Sequence, residues 1–291
     1  MIITMHIGAH CTAGGNLMRG LLKNKGVLGE HGVVVPGPAR YREILPDVMK
    51  KVKGDPASPA TQEMIIDQIT ETEKCDRLVL SYEDVICVAS NVFEGGSLYG
   101  KARFKLPWLR NVFAGHEMEF VFGIRNPAGF IPHAFAECGP RKSYEDFIAG
   151  VDLHHLRWSH VITVMRDVCP DVPIKVYAFE DSALSWERIL RDVAGVRAGV
   201  PLAGGLDMLA PIMQREGMAR LRAYLSTHKP KNDNQRHRIL MAFLDKYANP
   251  DEMVEEVDLP GWDADLVADL TERYEDDLYL IEGMEGVTVI S

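Results

Sequence analysis

Met1-Ile2-Ile3-Thr4-Met5-His6-Ile7-Gly8-Ala9-His10-Cys11-Thr12-Ala13-Gly14-Gly15-Asn16 opens the chain, and its reading decides the fold. Residues 1–7 form a short apolar run of strand length. Residues 8–16 are small, with three glycines, and cannot continue a strand. From 16 to 25, Leu17, Leu21 and Leu22 recur at helical spacing, and Gly26 stands where a helix would end. A strand that passes through a glycine-bearing turn into a helix begins a β–α unit.

The rest of the chain repeats that alternation. Strands are predicted over residues 33–35, 77–80, 119–124 and 173–179, the third nearly all apolar. Helical spacing predicts helices over 41–52, 61–73, 107–114, 126–136, 143–149, 154–168 and 185–193, with 54–59 a loop. Strands separated by helices call for right-handed crossovers and a mostly parallel central sheet with helices on both faces, a three-layer α/β sandwich. Continuously apolar strands fit burial on both sides. After Gly195 the pattern turns helical, over 207–226, 235–247 and 263–283, so residues 200–291 are expected to be mainly helices packed on the sheet. Residues 1–291 are read as one domain without internal repeats.

Bulk composition narrows the function classes. The chain has 291 residues, of which 46% are hydrophobic and 25% charged, as in an ordinary folded protein. Its net charge of −10 opposes general nucleic-acid binding, which needs a basic footprint. Any anionic ligand must be held by a local site against that field. Acid concentrates in residues 251–258 and 263–277. The five cysteines, Cys11, Cys75, Cys87, Cys138 and Cys169, are odd in number and lack a C-x-x-C pair, so neither a disulfide framework nor a zinc site is expected. No apolar segment of spanning length is present. The expectation is a cytoplasmic protein with reduced thiols, no metal site and an open oligomeric state.

In open parallel sheets ligands bind beyond the carboxyl ends of the strands. The turn Gly8, Ala9, His10, Cys11, Thr12, Ala13, Gly14, Gly15, Asn16 is therefore the first candidate site. Small residues let backbone amides approach a phosphate, and the following helix adds its positive end. The plainer reading is a tight turn with Asn16 as helix N-cap. The order of residues matches neither a Walker A loop nor a G-x-G-x-x-G loop.

Residues 6–12 resemble the opening of bacterial sulfotransferase-like proteins, a strand followed by H-x-G-x-x-K-T-[GA]-T-T. Arg125-Asn126-Pro127 resembles that family's second motif. Ser81-Tyr82-Glu83-Asp84, Arg157-Trp158-Ser159, residues 176–180 and residues 270–278 are similar to later family segments, in the same order along the chain. The resemblance implies a P-loop-like fold and a sulfotransferase that moves a sulfuryl group from 3′-phosphoadenosine 5′-phosphosulfate to a hydroxyl or amine of a small-molecule or glycan acceptor. It implies that residues 8–16 hold the 5′-phosphosulfate and that Arg125 contacts the 3′-phosphate. His133 stands where the family has a serine. Glu83 would be the general base, with His10 or His6 as a substitute cation. Cys11 replaces the family's lysine and Ala13-Gly14-Gly15 its Gly-Thr-Thr, so the loop lacks an ammonium and two hydroxyls. These departures keep a second reading open: a nucleotide- or partner-binding protein on the same fold.

Each candidate also has a structural alternative. Arg125 could form an ion pair, Glu83 could be a solvated or capping carboxylate, and His10 a turn residue. Cys11 could be a nucleophile at a helix start or a plain small residue. Residues 95–100, near Phe93 and Tyr99, are either a lid or an ordinary loop.

Overall fold

The computed structural model describes residues 1–72, 74–148, 150–252 and 259–291. The ends of the helices predicted to reach Glu73 and Ala149, and most of the acidic run 251–258, lie outside the described residues. The strands are β1 (Ile2–His6), β2 (Val33–Val34), β3 (Arg77–Ser81), β4 (Glu117–Ile124), β5 (Ile174–Ala178) and β6 (Val287–Val289). They form one sheet of order β2-β3-β1-β4-β5-β6, parallel throughout. The α/β class with a parallel sheet and helices on both faces is thus what the chain adopts.

Strand order positions the site. The connections leaving β2, β3, β4 and β5 all move across the sheet in one direction, and the connection from β1 to β2 moves the other way. Right-handed crossovers then put the helix after β1, Gly14–Lys23, on the opposite face from the helices Ile44–Val52, Ala102–Val112, Trp158–Val168 and Ala264–Glu282. Those four pack against one another in series. The helix Ser182–Ala194 packs against Gly14–Lys23 on the first face. A Cβ at Gly20 would fall 2.7 Å from Leu190 Cδ2, so glycine lets these two helices meet closely. Chain paths diverge where β1 lies between β3 and β4, and the crevice outside their carboxyl ends is the expected ligand position.

The core fills both faces of β1 and β4. Ile3, Met5, Phe120, Phe122, Trp158 and Trp186 are fully buried. A smaller apolar cluster, with Leu209, Met213, Leu221 and Leu240, joins the helices Arg215–Thr227 and Asp233–Tyr247. Among the described residues, no helix is long and apolar enough to cross a membrane.

Several local expectations change. The first helix starts two residues early, at Gly14. Its N-cap is Ala13, at φ 68° and with no side-chain cap, rather than Asn16. Gly26 does not end a helix but lies inside a second one, Lys25–Glu30, after a break at Asn24. The helix expected from Pro107 begins at Ala102 and runs through that proline. Residues 207–212 are turns and a bend, Met213 makes an isolated antiparallel bridge with Ala248, and the helix begins at Arg215. Strand β6 falls in the region read as helical. Its Val-Thr-Val alternation was the available signal, but three residues carry little periodicity.

Candidate functional site

The backbone of residues 7–9 first continues the pairing of β1 with β4. Ile7 N donates to Val121 O (3.0 Å), Ala9 N to Gly123 O (2.8 Å), and Gly123 N to Gly8 O (2.7 Å). The chain then turns at Cys11 and Ala13, both at left-handed φ (58° and 68°). Thr12, fully buried, donates its hydroxyl to Ala9 O (2.7 Å), and Thr12 O accepts from the Tyr177 hydroxyl (2.9 Å). The turn is held by its own side chains and by β5.

Where its amides point is decisive. The His10 amide is used, donating to Tyr99 Oη (2.9 Å). Among the described residues, the N–H groups of Cys11, Thr12, Ala13, Gly14, Gly15 and Asn16 make no hydrogen bond. These six consecutive unspent amides stand at a helix start, the electropositive end of a helix.

Arg125, at the end of β4, is brought to this turn. It is 4% exposed, its Nη1 donates to Cys11 O (3.0 Å), and its guanidinium lies 4.3 Å from the Phe179 ring centroid. His133 Nε2 is 3.5 Å from Arg125 Nη2, while His133 Nδ1 donates to Gly129 O (2.8 Å). The main chain is fixed as well: Trp158 Nε1 donates to Arg125 O (2.7 Å). Trp158 in turn starts a helix whose first amides donate to buried Asp277, from Trp158 N (2.7 Å) and Ser159 N (3.1 Å). Asn126 caps the next helix by accepting from Ala128 N, and its amide donates to Glu180 Oε1 (2.7 Å).

Glu83 arrives from the end of β3. A Cβ at Gly14 would lie 2.5 Å from Glu83 Oε1 and 2.7 Å from His6 Cε1. The carboxyl therefore packs against Gly14, in space that any other residue would claim. Burial pushes the Glu83 pKa up; His10 opposes that rise, while Glu137 adds to it.

His10 stands on the other side. Its Nδ1 lies 2.6 Å from Tyr99 Oη and its Nε2 3.0 Å from Asp84 Oδ1, so both ring nitrogens are engaged away from the unspent amides. His6 is fully buried between Ser81 Oγ (2.9 Å) and Tyr177 Oη (3.2 Å). Burial, with Arg42 and His10 nearby, lowers its pKa to about 3, which keeps it neutral at physiological pH. The Cys11 thiol contacts Glu137 (3.4 Å). Burial and that carboxylate raise its pKa, the reverse of what a thiolate nucleophile needs.

Asn16 and Arg125 open onto one cleft of about 980 Å³, walled by Phe179, Met208, Trp262 and Thr271. That is the size range of small-molecule sites. Tyr99 and Phe93, expected beside a lid, are 1% and 2% exposed; Tyr99 is a core residue under the turn. Tyr99, Tyr177 and Trp158, whose segments the sequence reading named without giving them this role, are buried aromatics whose polar ends hold the site backbone. Only their polar tips distinguish them from other core positions. Among the described residues no group of His, Cys, Asp and Glu could hold a metal ion.

No family model and no curated protein matches the chain. Among solved structures it is similar to a sulfotransferase from Alicyclobacillus acidocaldarius, with 12% identity and a TM-score of 0.40 over 82% of this chain and 95% of that one.

Proposed function

We propose that the chain binds 3′-phosphoadenosine 5′-phosphosulfate at the carboxyl ends of β1, β4 and β5 and transfers its sulfuryl group to a hydroxyl or amine of a small-molecule or glycan acceptor. One observation carries this reading: six unspent amides, Cys11 to Asn16, lie in the turn whose Cys11 O accepts from a buried guanidinium, and Asn16 and Arg125 line one cleft. Amides from Gly8 to Asn16, with Thr12, hold the 5′-phosphosulfate. Arg125 and His133 face the 3′-phosphate, for which a planar guanidinium is well suited. The apolar walls at Phe179 and Trp262 take the adenosine.

The acceptor atom bonds to sulfur as the bond from sulfur to the 5′-phosphate oxygen breaks. Glu83 takes the acceptor proton, and adenosine 3′,5′-bisphosphate leaves. Burial that raises the Glu83 pKa also makes it a stronger base. With Cys11 in place of a lysine, stabilisation of the leaving charge falls to the amides and the helix end.

A second reading is binding without turnover. The Glu83 carboxyl against Gly14 favours it, because a carboxylate there repels a phosphosulfate.

Titration with adenosine 3′,5′-bisphosphate tests both. The expected stabilisation is about 2.7 kcal/mol at a hundredfold excess over Kd, and it should vanish in Arg125→Ala. No thermal shift at millimolar nucleotide would reject both readings. Sulfuryl transfer from labelled donor across an acceptor panel would separate them: turnover abolished by Glu83→Gln supports the enzyme, whereas nucleotide binding without any turnover supports the binder.

A further inference from the structure

Behind Tyr99, away from the unspent amides, lies a separate cavity of about 470 Å³ between residues 96–100, Gly150 and the helix Trp158–Val168. Its lining has two guanidiniums, Arg103 and Arg157, and two imidazoles, His155 and His160, against one carboxylate, Asp152. That carboxylate already engages His155 (2.8 Å). Among the described residues, Arg103 and His160 make no side-chain hydrogen bond or ion pair, and Arg157 gives one N–H to Leu156 O (2.9 Å). Unused guanidinium donors therefore converge on a cavity in a chain of net charge −10, where the general field would not gather them. Leu98, Val161 and Val164 add an apolar wall. Gly96 and Gly150 meet across the rim, both at left-handed φ (75° and 80°). A Cβ at Gly96 would come within 3.8 Å of Gly150 O.

We propose that this cavity is a second ligand site, for a small molecule that pairs a carboxylate, phosphate or sulfate group with an apolar body. The anionic group meets Arg103 and Arg157, each of whose forks can donate to two oxygens at once, and the body lies on Leu98 and Val161. The floor of the cavity is Tyr99, whose hydroxyl reaches His10 in the turn. An occupant thus touches the residue that holds His10 in the turn. The site is nonetheless independent of the nucleotide reading, since it shares no lining residue with the cleft at Arg125.

The full chain, titrated with inorganic phosphate and then with citrate at constant ionic strength, tests this by calorimetry. Because the amide row beside Arg125 also offers donors to an anion, the titrations are made on Arg125→Gln, which should keep one binding event that belongs to the cavity. In that background Arg103→Gln/Arg157→Gln should bind at least tenfold more weakly, with the sources distinguished by which anion binds tighter. Unchanged affinity in the double variant, or loss of binding in Arg125→Gln, would overturn the proposal. Should the double variant fail to fold, Arg103→Gln alone, at an exposed position, must still weaken binding; if it does not, the site is wrong.

Discussion

Glu119 and Glu83 belong to the same sheet and are treated in opposite ways. Glu119 lies within β4 and is 9% exposed. It accepts from Thr4 Oγ1 (2.6 Å) on β1, from Arg77 on β3 and from Lys175 Nζ (3.1 Å) on β5. Lys175 also donates to Asp192 O (2.7 Å) on the overlying helix. Glu83, at the carboxyl end of β3, packs against Gly14 and, among the described residues, has no hydrogen bond or ion pair of its own. Mid-sheet, every charge is answered across the strands. At the strand ends, a carboxyl and a row of amides are left unanswered. Charges that serve only the fold are paired, and those held available for a ligand reduce stability.

The contrast can be broken most sharply at Glu119. Glu119→Ala leaves Arg77 and Lys175 as uncompensated charges, and loss of one partner of such a buried group costs about 3–5 kcal/mol. A melting point lowered by roughly 2–4 °C per kcal/mol is expected. A loss below about 1 kcal/mol in denaturant titration would mean the cluster behaves as a surface pair. His6 should dominate the acid limb. Its pKa is about 3 folded against 6.5 unfolded, so the unfolded chain binds the extra proton. Stability is complete above 6.5 and falls as pH drops towards 3, by about 1.4 kcal/mol per pH unit. A His6→Gln variant that still folds should show a flatter limb in that window, and an unaltered slope would remove His6 as its source.

Asp277→Ala removes the acceptor for two helix amides and should cost about 2 kcal/mol, the upper end for a lost cap. Because Trp158 holds Arg125 O, affinity for adenosine 3′,5′-bisphosphate should fall more than affinity for the 5′-monophosphate. Equal losses would confine Asp277 to stability. The smallest effect has the reverse sign. The raised Glu83 pKa means the folded state favours the protonated form. Glu83 is therefore stability-neutral well below the ordinary carboxyl pKa of 4.5, increasingly destabilising as pH rises through it, and fully so above its folded value. Glu83→Gln should raise the melting temperature slightly at pH 8, with the gain disappearing as pH falls towards 4.5. A lower melting point at pH 8 would show that Glu83 is a structural partner like Glu119.

Much of the architecture was legible because periodicity is a property of long elements. β1, β3, β4 and β5 emerged from apolar runs, and the turn after β1 from its glycines. Arg125 is expected at that turn only through the family resemblance; the pairing of β1 with β4 is what brings it there. What sequence could not supply was direction. His10 and Glu83 both flank the turn, yet one ring is tied to Tyr99 and Asp84 while the other group faces Gly14. Side-chain aim depends on partners 74 and 89 residues away, and no local pattern encodes it. The helix start at Gly14 was missed because Ala13 supplies a left-handed φ that alanine seldom adopts.

Leu190 against Gly20 has a mechanical consequence. The helix that begins at the amide row and the helix that follows β5 are clamped together near their middles. Asn16 and Ser182, near the starts of those helices on one side of the cleft, are therefore obliged to travel as one jaw. A larger side chain at position 20 would act as a wedge, prying that jaw apart from a point remote from any ligand.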